Sequence, residues 1–198
     1  MSRLLLWRHG RTAWNHERRF QGQTDVDLDE TGVQQAIDAA PRLAAREPKL
    51  IISSDLGRAT QTAGALVELT GLPLHLDPRL RERHFGSWQG LTAAEIQERY
   101  PDDYARWTTA SRLSVSGIET VDVMTERVLA AVRDAAEQVG DGGVAVLVTH
   151  GGSARVAVGS LLGWPEDAWA TLGVLGNCRY SELSWTAERG WQLIAHNV

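Results

Sequence analysis

Two histidines in this chain stand directly before glycine and at the end of an apolar run: His9 follows LLLWR and His150 follows VAVLVT. Arg8 precedes the first histidine, Arg58 comes shortly after the run LIIS, and Glu82 falls in DPRLRERHFG. These residue types suit one chemistry. A neutral imidazole has a lone pair near pH 7 and can attack phosphorus. Guanidinium forks match phosphate oxygens two at a time and keep their charge. A carboxylic acid can hand a departing alkoxide the proton it needs. Phosphoryl transfer asks for little beyond alignment and charge neutralisation. The set therefore fits phosphoryl transfer through histidine without a metal or cofactor. The sequence has no glycine-rich phosphate loop closed by Lys and Ser or Thr, and no paired acids of metal-site type near these positions.

Each residue alone has an ordinary reading. Arg-His-Gly can be a polar loop, His150 a turn residue, Arg58 an exposed helix residue, and Glu82 part of a solvated charge run. What separates the set from these readings is its position. Strand-length apolar runs occur at Leu4–Trp7, Leu50–Ile52, Leu72–Leu76 and Val144–Val148, and each candidate comes after one of them. VAVLV has no polar alternation, as expected of a central strand buried on both faces. Helical spacing fills the intervals. It appears in GVQQAIDAAPRLAAR, where Pro41 should bend the helix, and in RATQTAGALVELTG, which stops at Gly71. A third helix places Val121, Met124, Val128, Ala131 and Val132 on one face and stops at Gly140. The C-terminal segment predicts two strands joined near Glu188–Gly190. Alternating strands and helices imply an α/β fold with a mostly parallel sheet, whose ligands bind beyond the carboxyl ends of the strands.

Composition sets the outer bounds. A chain of 198 residues suits one domain, and 43% hydrophobic with 23% charged residues is ordinary for a globular protein. Cys178 is the only cysteine, so no internal disulfide forms. The N-terminal apolar run is too short for a signal peptide, and no run approaches a membrane span, so a cytoplasmic protein is expected. A net charge of −5 argues against nucleic-acid binding. Residues 1–24 nevertheless carry five arginines against one glutamate, a local positive block of the kind anion binders use.

Read in order, the segments LLLWRHGRTAWN, FQGQTDVDLDETG, SSDLGRATQTA, LRERHFGSWQGLT and VTHGG resemble the histidine phosphatase superfamily, also called phosphoglycerate mutase-like. The resemblance implies a three-layer α/β/α sandwich forming a single domain over residues 1–198, with residues 83–120 as a cap over the site. It also implies roles. His9 matches the nucleophile that becomes phosphohistidine, while Arg8, Arg58 and His150 match the rest of the phosphate pocket. Glu82 matches the general acid, Asn15 and Gln21 match auxiliary phosphate or substrate contacts, and Gly151 could offer its backbone amide. Gly10 is expected to leave room for the phosphate.

Two positions depart from the family pattern. Arg11 stands where Glu or Gln is usual, which should add positive potential at the mouth of the site, and Ile118 breaks a Gly-Gly-Glu-Ser loop. The implied activity is hydrolysis of a small phosphomonoester. The 67 residues between Glu82 and His150 are compact for a cofactor-dependent phosphoglycerate mutase, the first alternative. An inactive phosphate-binding scaffold, the second, would be expected to lose the nucleophile or acid, and both are kept. DLGRATQTA and RLRERHFGSWQGLTAAEI are similar to actinobacterial glucosyl-3-phosphoglycerate phosphatases, so that substrate is expected beside the alternative of a broad-specificity acid phosphatase. Trp88 and Trp107 lie in the expected cap, where aromatic faces can stack on sugars or simply pack. A homodimer would be unsurprising for the family.

Overall fold

Six strands make one sheet in the order β3-β2-β4-β1-β5-β6. They are β1 (Ser2–Arg8), β2 (Leu50–Ser53), β3 (Leu74–Leu76), β4 (Val144–Thr149), β5 (Tyr180–Thr186) and β6 (Gly190–Ala195). β3, β2, β4 and β1 run parallel, while β5 and β6 add an antiparallel hairpin on the β1 side. The computed structural model describes residues 2–109 and 117–198.

Alternation along β1 divides the molecule into layers. Leu5 and Trp7 face a core built with α2 (Glu30–Ala44) and α3 (Gly57–Thr70) from Ala36, Ala40, Leu43, Ala63 and Leu66. Leu4 and Leu6 face the opposite core, shared with α6 (Val121–Val139) and α7 (Gly151–Leu161) through residues such as Val128, Val132 and Ala157. Helices thus cover both faces of the sheet, giving the expected three layers. Each large apolar side chain buried in this way contributes about 1.5–3 kcal/mol. With β1 and β4 apolar on both faces, the two strands that carry the histidines are the most firmly fixed elements of the sheet.

The helix ends obey the sequence signals. Beyond β1 a single-turn helix, α1 (Ala13–His16), opens on Thr12, whose side chain accepts from the Asn15 N–H. α3 stops at Gly71 in a left-handed conformation (φ 68°), which glycine adopts without strain. α2 runs continuously through Pro41 to Ala44, so the proline does not end it. β3 is shorter than expected, beginning at Leu74.

A smaller third cluster sits over the carboxyl edge of the sheet. Trp88, Ile96 and Ile118 form its buried centre, with α4 (Ala93–Arg99) and α5 (Pro101–Thr109) around them. Trp88 is 1% exposed, so it packs and has no face for a sugar. Ile118, which breaks the family pattern, fills this cluster. Residues 110–116 of the expected cap lie outside the described residues. Among the described residues, no helix is long and apolar enough to cross a membrane.

Candidate active site

The four parallel strands deliver their C-terminal residues to one edge. His9 leaves β1, and its backbone N–H bonds to Thr149 O of β4 at 3.0 Å. Its ring Nδ1 lies 2.7 Å from Gly10 O. A carbonyl only accepts, so Nδ1 carries the proton and Nε2 keeps the lone pair. Burial holds the His9 pKa well below the usual imidazole value, and the guanidinium groups of Arg58 and Arg8 depress it further. His9 is therefore neutral at pH 7.

His150 comes directly after β4 and is fully buried, its ring centroid 5.1 Å from that of His9. Burial and then Arg58 lower its pKa well below the usual value too. Its Nε2 lies 2.9 Å from Ser54 Oγ. The Ser54 hydroxyl oxygen also accepts from Leu56 N–H. His150 Nδ1 is buried with no hydrogen-bond partner among the described residues.

The arginines are held by carbonyls. Arg8 Nη1 donates to Leu175 O at 2.5 Å, and Arg58 donates from Nη1 to Thr24 O at 2.9 Å and from Nη2 to Gly22 O at 2.7 Å. The Nε atoms of both are buried without a partner among the described residues. Burial brings the Arg58 pKa down to about 10, partly offset by Glu82 and Asp25. Both arginines still carry full charge at neutral pH.

Glu82 arrives from the connection after β3. Its Oε2 accepts from Gly152 N–H and its Oε1 from Arg83 N–H, each at 2.9 Å. A side chain on Gly152 would collide with the Glu82 carboxylate and have to displace it. The segment beneath is pinned from three elements. Thr149 holds Leu80 O, Ser153 holds Arg81 O, and Arg127 of α6 reaches the carbonyls of Arg79, Arg81 and Glu82. Arg127 is itself locked by Glu119 at 2.6 Å.

These groups surround a cavity of 270 Å³. Arg8, His9, Arg58, Glu82, Asn15, Gln21 and Gly151 all line it, and His150 stands behind, against His9. The Asn15 carbonyl oxygen accepts from Thr12 and Asn177, and that of Gln21 accepts from the Thr12 hydroxyl. Both amides therefore keep their NH₂ ends to offer. Gly151 opens α7, where a backbone N–H is free for an anion.

Arg19, Gly22, Phe85, Gly152, Arg155 and Val174 also line the cavity, and the sequence reading assigned none of them to it. Arg19 stood in the basic N-terminal block, but it is paired with Glu17 and Glu95. Arg155 carried no signal in a chain with so many arginines.

Two expectations are corrected. A Cβ on Gly10 would lie 2.5 Å from Gly32 O, so Gly10 is small because the backbone of α2 packs against it. Room for phosphate is not the constraint. Arg11 does not line the cavity: its Nε donates to Asp29 Oδ2 at 2.8 Å and its Nη2 to Thr31, which fastens the start of α2. Its charge is spent on Asp29. Among the described residues, no cluster of His, Cys, Asp or Glu could hold a metal ion.

Residues 4–198 match the Histidine phosphatase superfamily (branch 1). The chain is 42% identical over 188 residues to the glucosyl-3-phosphoglycerate phosphatase of Mycolicibacterium vanbaalenii, covering 92% of this chain and 84% of that one. It is 35% identical to a Yersinia pestis protein named as a probable phosphoglycerate mutase, over 96% of this chain and 90% of the other. A mycobacterial glucosyl-3-phosphoglycerate phosphatase, solved in complex with inorganic phosphate, superposes with a TM-score of 0.88 at 38% identity, covering 99% of this chain and 97% of that one. The ordered motifs, the layered sheet and the histidine-arginine cavity at its carboxyl edge share one origin: this chain belongs to branch 1 of the histidine phosphatase superfamily.

Proposed function

We propose that this protein is a metal-independent phosphatase that hydrolyses a phosphomonoester through a phosphohistidine on His9. The hydrogen bond from Nδ1 to Gly10 O carries the reading, because it leaves the lone pair on Nε2 inside a cavity flanked by two buried guanidinium groups. In the first step Nε2 attacks phosphorus and the P–O bond to the alcohol breaks. Protonated Glu82 gives its proton to the departing oxygen. In the second step water attacks the phosphohistidine, Glu82 takes a proton from that water, and the P–N electron pair returns to Nε2. Arg8, Arg58, the Gly151 amide and the His150 ring supply charge and hydrogen bonds to the equatorial oxygens. Asn15 and Gln21 add NH₂ donors at the rim, and the described part of the expected cap, with Phe85 and Trp107, flanks the leaving group.

Glucosyl-3-phosphoglycerate is the favoured substrate, supported by the identity to the mycobacterial phosphatases being higher than to the mutase-named protein. Rapid acid-free quench with ³²P-labelled substrate tests the mechanism. Label should appear on His9 and be lost in His9→Ala along with turnover, and chelator should leave the rate unchanged. Label on serine, or activity removed by chelation, would refute it.

A further inference from the structure

A second cavity of 330 Å³ adjoins the first, within the size range of about 300–1,000 Å³ that houses small ligands. The two share Glu82, Phe85, Gly152 and Arg155 as a common wall. Beyond that wall the second cavity is lined by Trp107, Trp169 and Met124, with the charged groups Arg83 and Glu166 at its side. Glu82 therefore stands between a cationic pocket and an aromatic one. A leaving group attached through the oxygen that Glu82 protonates must extend into the second.

Arg155 is the residue that the phosphate chemistry leaves unexplained. It faces both cavities, and its guanidinium makes no hydrogen bond or ion pair with any described residue. Its Nε is buried without a partner among them. Arg83, by contrast, is engaged: its Nε donates to Glu119 O at 2.6 Å, and its guanidinium lies 4.5 Å over the Trp107 ring. A cation held at a cavity junction with its donors unused is suited to a bidentate anion. The aromatic walls suit the C–H face of a sugar. Trp169 is fixed in that wall because its ring lies against Gly159, where any side chain would displace it, and its Nε1 donates to Trp164 O.

We propose that Arg155 and the Trp107–Trp169 cavity form a leaving-group subsite that selects a sugar-bearing alcohol with its own carboxylate. Arg155 grips the carboxylate and the tryptophans take the sugar. The assignment rests on the phosphatase reading above and adds to it the residue that sets substrate preference.

The test has two arms. The first compares kcat/KM for glucosyl-3-phosphoglycerate with kcat/KM for glucose 1-phosphate, which lacks the carboxylate, in the wild-type protein and Arg155→Met. The ratio should fall by about 10- to 100-fold in the variant, the loss expected for a charge-assisted hydrogen bond. An unchanged ratio, whatever happens to the absolute rates, would overturn the subsite and place Arg155 with the phosphate. The second arm needs no turnover. Calorimetric titration with glucosylglycerate, the alcohol without its phosphate, should show binding to the wild-type protein that weakens by a similar factor in Arg155→Met. Equal affinity for both proteins, or binding to neither, would overturn it. A wild-type protein that binds glucosylglycerate but hydrolyses no phosphomonoester would sink the phosphatase reading and leave the subsite standing.

Discussion

Lowering the pH from 6.5 to 5.5 should destabilise this protein through its two site histidines. Both His9 and His150 are buried and have pKa values well below the ordinary 6.5, mainly by burial and then by the charge of Arg58. The unfolded chain regains the ordinary value. Well above pH 6.5 neither state binds protons at these sites, so their contribution is fully present. As the pH falls below 6.5 the unfolded chain takes up protons that the folded protein refuses, and stability is lost. For one histidine the integrated loss between pH 6.5 and 5.5 is about 1 kcal/mol, and for two about 2 kcal/mol. The local slope approaches about 2.7 kcal/mol per pH unit at the acid end. That is a large part of a typical stability of about 5–15 kcal/mol.

Urea unfolding measured by tryptophan fluorescence, in phosphate-free buffer at several pH values, checks this. With a urea dependence of about 2 kcal/mol per molar, the midpoint should fall by about 1 M across the interval. The other four histidines contribute equally to a His9→Asn/His150→Asn variant, so the difference between the two proteins isolates the pair. The variant should lose most of the pH dependence, and His150→Asn alone about half. Identical slopes in wild type and double variant would show that the site histidines are not held neutral. The reasoning for His9 as an uncharged nucleophile would fall with it.

Gly10→Ala should destabilise by about 1–3 kcal/mol through overpacking against Gly32, read as a drop in Tm of several degrees, whereas a phosphate-room role would predict weaker phosphate binding at unchanged Tm. Gly152→Ala should push the Glu82 carboxylate off its place. It should resemble Glu82→Gln, slowing alkyl phosphates by about 10²-fold or more and p-nitrophenyl phosphate much less, and equal losses on both esters would remove Glu82 from the acid role.

The sheet and its edge were legible because β1 and β4 are apolar on both faces. Unbroken runs such as LLLW and VAVLV have few alternatives, and a residue directly after a fixed strand is itself fixed. Asn15 and Gln21 lie close enough in sequence to His9 to travel with its motif. Arg127 was not legible. It acts 45 residues from Glu82, through a helix whose pattern reports only the buried face carrying Met124 and Val128. Arg155 was hidden for a related reason, since the sequence shows an arginine after His150 but not the two cavities it faces. Gly10 and Arg11 were misread in the same direction. Both sit beside the nucleophile, and proximity in sequence suggested chemistry where the structure shows them holding the start of α2.

The energetic logic of the site comes from where its charge is placed. Arg8, Arg58 and Arg155 meet Glu82 as the one acid among the lining residues, a local excess of positive charge in a chain whose formal net charge is −5. Burying a cation is costly unless it is paired, and carbonyls of Leu175, Thr24 and Gly22 satisfy hydrogen-bonding geometry without cancelling charge. A carboxylate bonded to Arg58 in their place would have competed with a phosphate for the same fork. Neutral partners keep the guanidinium groups aimed and rigid while leaving their charge unspent. Burial first, and then the same field, keep both histidines unprotonated. The cations that neutralise a phosphoryl group thus reinforce what burial does for the lone pair that attacks it, which ties acid sensitivity of the fold to competence of the nucleophile.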